Sequence, residues 1–341
     1  MPTASALPFD DIRSLIGQMP RASGECISLV RERDALLVKP AGSLGRMEEL
    51  VEWLAGWQGV SQPQINRPTV VVFAANHGVT AQGVSSYPQA VTRQMLETFA
   101  AGGAAINQIC ATFDIGLKVF DLALDIPTAD ITQDAALDEK SAAATFAFGM
   151  EAISGSVDLL CLGEMGIGNT TIAAAIYHAL YGGKAADWVG RGAGLDDAGL
   201  ARKVAAVERA VELHKAHFSD PLEIMRRLGG REICAIAGAI MAARMERVPV
   251  ILDGYVVTSA AAILHALDSS ALDHCLAGHV SAEGAHAQVL QRLGKKPLLD
   301  LGINLGEGCG AAMAAGIVKA ALACHREMAT FEQAGVAGKL N

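Results

Sequence analysis

The chain has 341 residues, of which 51% are hydrophobic and only 18% charged, with 36 glycines and a formal net charge of -9. That acidity argues against nucleic acid or an anionic membrane as the main partner, and the length suits two average domains or one large α/β domain with an appended helical part. Seven cysteines without a C-x-x-C pair read as reduced thiols of a cytoplasmic protein.

The opening MPTASALPFDDIRSLI has acidic residues and no long apolar core, so it does not read as a secretory signal. FDDIRSLIGQM, ECISLVRERDALLV and RMEELVEWLAGWQ predict helices through residues 9–60. The third follows a KPAGSLG break, with Ser43 as its expected cap. Helices alone ahead of the first strand predict a small lobe or a dimer contact. TVVVFAA (69–75) predicts that strand, and it runs into the polar loop NHGVTAQGVSSYPQ, at the end of a strand where open α/β sheets place ligands. His77 in this loop reads as a hydrogen-bonded structural group. A helical stretch, a second strand over IGLKVFDL (115–122) and a helix around 141–153 come next.

VDLLCLGEMGIGNTT (157–171) organises the chain as a doubly buried strand, a glycine turn and a helix mouth. Glycines let the backbone approach a ligand, and the N–H groups and dipole at 169–171 favour an anion. The spacing of Gly163, Gly168, Asn169 and Thr170 imitates a nucleoside-triphosphate loop, but Asn169 stands where that loop needs lysine. A monophosphate therefore fits better than a magnesium-bound triphosphate. Glu164 would repel a polyphosphate; it suits a ribose hydroxyl or positive charge on a sugar. The competing reading is a turn that only lets a helix pack tightly on a sheet.

In WVGRGAGLDDAGLARKVAAVERAVELHKAH a glycine loop becomes a long helix, with Asp196 or Asp197 as cap. Arg191 and Lys203 are its candidate cations for an anion site, against the alternative of solvated surface charges. His214 and His217 lack the partners of a metal site. GGREICAIAGAIMAARME predicts an alanine-rich helix, and PVILDGYVVTSAAAIL repeats the sequence of strand, acid (Asp253), glycine and helix. LDHCLAGHVSAEGAH predicts a short strand ending near Gly278, with Ser281 as a helix cap and His274, His279 and His286 as separate residues. The last unit, KPLLDLGINLGEGCGAAMAAGIVKAALAC, predicts a strand at 298–301, a glycine loop at 302–310 carrying Glu307, and a helix. The longest apolar segments of the chain, 233–243 and 309–324, are too short or interrupted to cross a membrane.

About six strand candidates alternate with helices, predicting an α/β doubly wound parallel sheet rather than an eightfold barrel. The two glycine loops, each with one glutamate, are then expected to face one crevice. A helix mouth lowers a carboxylate pKa and burial raises it. A base poised between the two suits proton removal from a weakly acidic ring nitrogen. Glu307 reads equally well as a capping carboxylate.

KPAGSLGRMEELVEWLAGWQG, HGV…GVSSYPQAVT, GEMGIGNTT, ILDGY…SAAA and LGEGCGAAMA occur in that order between about residues 37 and 325. Together they resemble the nicotinate-nucleotide–dimethylbenzimidazole phosphoribosyltransferase family. The resemblance implies a Rossmann-like domain over 61–310, a small helical lobe built from 1–60 and 311–341, and a homodimer. It implies transfer of phosphoribose from nicotinate mononucleotide to 5,6-dimethylbenzimidazole, giving α-ribazole 5′-phosphate and nicotinate, in cobalamin lower-ligand synthesis. Departure of nicotinate neutralises a pyridinium, so neither cofactor nor metal is expected.

By the same resemblance Glu307 is the general base and Glu164 stabilises ribose charge. Gly166, Gly168, Asn169 and Thr170 hold the 5′-phosphate with Lys203, and Leu305 lines the base pocket. Where the family sets a serine and a glutamine on the base, the order here places Tyr87 and Met95, which implies a more apolar pocket. A transferase acting on another base and a nucleotide-binding protein without turnover are the alternatives.

Overall fold

Strand β1 (Pro68–Ala74) is buried at every position and so needs cover on both faces. In the computed structural model, which describes residues 7–337 apart from 154 and 156, β1 lies inside a parallel sheet. Its neighbours are β2 (Gly116–Asp121) and β3 (Leu159–Met165), followed by β4 (Val250–Leu252) and β5 (Cys275–Ala277). The order β2-β1-β3-β4-β5 reverses direction between β1 and β3, where a doubly wound sheet opens its crevice. The segments 1–6 and 338–341, on which part of the signal-peptide reading and the end of the small lobe fall, lie outside the described residues.

Alternation along the strands feeds two cores. Val71, Phe73, Leu160 and Leu162 face one side; Val70, Val72, Leu159 and Cys161 face the other. The first side is covered by α6 (Glu139–Ala152), α7 (Asn169–Tyr181), α10 (Pro221–Leu228), α11 (Arg231–Met245) and α12 (Tyr255–Leu267). The second is covered by α3 (Arg46–Gln58), α5 (Ala105–Phe113) and α14 (Cys309–Glu327), with α2 (Gly24–Asp34) against α3. Small residues let helices touch backbone to backbone: a Cβ at Gly149 would strike the Ala235 carbonyl where α6 crosses α11. The remaining helices are α1 (Pro8–Ile16), α4 (Ala90–Ala100), α8 (Ala185–Trp188), α9 (Asp197–His214), α13 (His286–Arg292) and α15 (Phe331–Ala334). Among the described residues no helix is long and apolar enough to cross a membrane.

Among the described residues the sheet has five strands, one fewer than the sequence suggests. The predicted strand at 298–301 is reduced to one parallel bridge, His279 to Leu299, because it pairs beside β5, itself only three residues long. Ser43 does not cap α3; Gly45 takes that position, and Glu48 reaches back to the Leu44 N–H at 3.1 Å. Ser281 is likewise no helix cap, since α13 begins at His286 and the Ser281 hydroxyl accepts from the Glu283 N–H instead. Asp196 does cap α9, accepting from the Gly199 N–H at 2.7 Å.

Candidate active site

A cavity of about 570 Å³ opens over the C-terminal ends of β3, β4 and β5. β3 places Glu164 in register with Phe73, near the end of the strand and in the wall of the cavity. Beyond it the chain turns at Gly166, where a side chain would strike the Ala75 carbonyl, and at Gly168, whose left-handed backbone (φ +92°) starts α7. The Asn169 amide donates from Nδ2 to the Glu164 carboxyl, so the first residue of α7 orients the carboxyl of the strand.

The opposite wall is the 302–310 turn. Glu307 adopts a left-handed conformation (φ +69°) and Gly308 follows at +85°. The two turns interlock. The Glu307 N–H donates to the Glu164 carbonyl at 3.0 Å, a Cβ at Gly163 would run into the Gly308 nitrogen, and one at Gly306 would run into the Glu164 carboxyl. Two glutamates 143 positions apart in sequence thus line a single cavity. Both are buried, and burial is the main reason their acidities fall. Glu164 is pushed up to about 8, helped by the charges of Asp253 and Glu232, and Glu307 to about 7, helped by Asp253. Among the described residues Glu307 Oε2 has no hydrogen-bond partner.

Thr170 and Asn169 line the cavity, as do Gly192 and Ala193 from the glycine loop before α9. Lys203 is fully buried behind Thr170; its Nζ donates to Thr170 Oγ1 at 2.7 Å and to the Gly190 carbonyl at 2.9 Å. Burial lowers this ammonium to about 8, opposed by Glu283 at 3.9 Å. Gly168 stays outside the cavity, packed on Thr80, and the Asn169 and Thr171 N–H groups bond within their own turn to Gly166 and Gly168. Arg191 turns away from the cavity: its guanidinium pairs with Asp197 and the Leu195 carbonyl.

Tyr87, Met95 and Leu305 lie on the cavity wall together with Val91 and Ala105, forming its apolar side. Sequence reasoning missed His279, Ser281 and Glu283, which line it too, and Tyr255 at the start of α12. The signal available for the first three was their place in a loop after a parallel strand. His77 is buried with its Nε2 2.9 Å from Glu232, beneath the Gly166 turn and away from the cavity lining. Among the described residues no three His, Cys, Asp or Glu side chains are grouped to hold a metal ion.

A family model described as phosphoribosyltransferase matches residues 19–336. A nicotinate-nucleotide–dimethylbenzimidazole phosphoribosyltransferase of Methylocella silvestris is 68% identical over 337 residues, covering 99% of each chain. One of Rhizobium etli is 66% identical over 337 residues, again 99% of each. The crystal structure of CobT from Thermus thermophilus superposes with a TM-score of 0.85 at 40% identity, over 92% of this chain and 100% of that one. With motifs, sheet and cavity in agreement, the chain belongs to the nicotinate-nucleotide–dimethylbenzimidazole phosphoribosyltransferase family.

Proposed function

We propose that the chain transfers phosphoribose from nicotinate mononucleotide to 5,6-dimethylbenzimidazole, releasing nicotinate and α-ribazole 5′-phosphate, with Glu307 as general base. The observation that carries the reading is the meeting of Glu164 and Glu307 in one cavity whose two sides differ: Thr170 backed by Lys203 on one, Tyr87, Met95 and Leu305 on the other. The 5′-phosphate takes the polar side, where Thr170, Gly166 and Asn169 meet it and the buried Lys203 holds the Thr170 hydroxyl from behind, with Gly168 setting the turn. The flat aromatic base takes the apolar side.

Glu307 removes the N–H proton of the benzimidazole, and the other ring nitrogen attacks the anomeric carbon as the bond to nicotinate breaks. The bonding pair moves onto the pyridinium nitrogen, so the leaving group departs neutral at its ring. Glu307, at about 7, is matched to a proton transfer near neutrality. Glu164 sits at about 8 in the free protein; an arriving pyridinium favours its anion, which then faces the cationic ribose. The reading extends to a cytoplasmic homodimer, with 1–60 and 311–341 forming a small lobe on 61–310. Tyr87, Leu301 and Leu305 are exposed apolar residues that a second copy would cover.

The test is Glu307→Gln assayed with nicotinate mononucleotide and a panel of bases. Nucleotide affinity stays within a few-fold of the parent while transfer falls about 10²–10⁴-fold. Undiminished turnover would remove Glu307 from the chemistry, and product formed only with a different base would replace the proposed acceptor.

A further inference from the structure

Glu307 occupies backbone that a non-glycine residue seldom adopts, in a turn without a strand ladder of its own. Something else must hold it. Gly308, the N-cap of α14, has no side chain to bond the free amides of the first helical turn. That service comes from Asp253, the residue immediately after β4. Its Oδ2 accepts from the Gly308 N–H at 3.1 Å and its Oδ1 from the Ala311 N–H at 2.9 Å. Asp253 is 1% exposed, and His279 Nδ1 stands 3.5 Å from Oδ1. A buried carboxylate at the mouth of a 19-residue helix is also favoured by that helix's dipole.

We propose that Asp253 is a positioning residue for proton removal by Glu307: it clamps the Gly308 and Ala311 amides and so fixes the left-handed turn that aims the Glu307 carboxyl into the cavity. This rests on Glu307 being the base. The clamp ties α14 to the sheet from 55 and 58 positions away in sequence, so the base is set by the end of β4 rather than by its own loop. Asp253 also lies close enough to act on Glu307 by its charge, and burial raises Asp253 itself while His279 opposes that rise. Other titratable groups that face this pair are Glu164 and Cys161 from β3, His279 after β5 and Cys309 on α14, with Glu232 from α11 acting on Glu164.

The experiment compares Asp253→Asn, Glu307→Gln and the double variant in the full-length enzyme. Asp253→Asn keeps one acceptor but loses the second and the charge. A base displaced by about 1 Å costs on the order of 100-fold, so kcat falls by that order while KM for nicotinate mononucleotide changes less than about threefold. The acid limb of kcat/KM moves to lower pH, because a like charge beside Glu307 is gone. In the Glu307→Gln background the second substitution has little further effect, since both act through one group. An active Glu307→Gln would sink the base assignment itself. An inactive Glu307→Gln, together with an Asp253→Asn whose acid limb stays in place or whose loss multiplies with that of Glu307→Gln, would overturn the positioning role alone. If neither Asp253→Asn nor Asp253→Ser folds, judged by circular dichroism and nucleotide binding, Asp253 belongs to the fold and the proposal falls.

Discussion

The end of β3 and the turn before α14 each present a glutamate near a helix mouth, yet they are held in different ways. Glu164 belongs to a strand with ladders on both sides, to β1 and β4, and the positive φ its turn needs falls on a glycine, Gly168. Glu307 belongs to no ladder and carries positive φ itself. Its turn is held from outside, by Asp253, by the Glu164 carbonyl, and by Asn304, whose Nδ2 donates to the Gly192 carbonyl at 3.0 Å. One carboxyl is therefore placed by local sequence and the other by contacts between distant segments. The lesson is that the group assigned the proton transfer depends for its position on the group assigned to the sugar.

That dependence breaks most sharply at Gly163. Its hydrogen is all that fits between β3 and the Gly308 backbone, so Gly163→Ala drives the two turns apart while leaving the Glu164 side chain and its Asn169 partner in place. Turnover is expected to fall on the order of 100-fold. The thermal midpoint falls as well, because overpacking a close contact destabilises. Steady-state kinetics and a thermal melt check both, and a kcat within about twofold of the parent would show that the turns are mechanically independent.

This division also decides what could be read from the chain. The β3 turn was legible because its signals are adjacent: an apolar run, three glycines, and a helix beginning at Asn169. The pairing of Glu164 with Glu307 was legible as two similar units placed on one parallel sheet. Asp253 was visible only as an acid after a short strand, because capping a helix across more than 50 residues leaves no periodic trace. Ser43 and Ser281 show the converse error. Each has the local chemistry of a cap, but Glu48 and the 281–283 turn satisfy those backbone groups first. Arg191 reads as a phosphate cation until Asp197, six residues on, takes its guanidinium. The sixth strand failed for a related reason, since pairing with a three-residue strand leaves one bridge whatever the propensity of 298–301.

A smaller effect isolates the phosphate side of the β3 turn. Lys203 loses its charge through about 8, so kcat/KM falls above that value, while the acid side rises as Glu307 and Glu164 gain their charges through about 7 and about 8. Lys203→Met removes the charge-assisted contact that orients Thr170, of about 1.5–3 kcal/mol, raising KM for nicotinate mononucleotide by roughly 10- to 100-fold. It also abolishes the alkaline fall and leaves the acid limb, which belongs to the two carboxyls. Persistence of the alkaline limb in Lys203→Met would assign that limb to another group.

The smallest effect is on stability, and it compares the two carboxyls directly. Glu164 titrates near 8 in the folded protein, above the ordinary carboxylate value of 4.5, so between those pH values the native state holds a proton that the unfolded chain has released. Native stability therefore drops as pH rises across that window and levels off above about 8. Glu164→Gln removes the titration while its Oε1 can still accept from Asn169. Its melting midpoint should exceed the parent's by about 2 °C at about pH 8 and by less at about pH 5. Glu307→Gln should show a smaller gain that levels off near pH 7, because its folded value lies closer to the ordinary one. Parallel melts across about pH 5–9 read both. Two curves levelling at the same pH would mean that the carboxyls titrate as one coupled unit and that the distinction between the turns ends at their backbones.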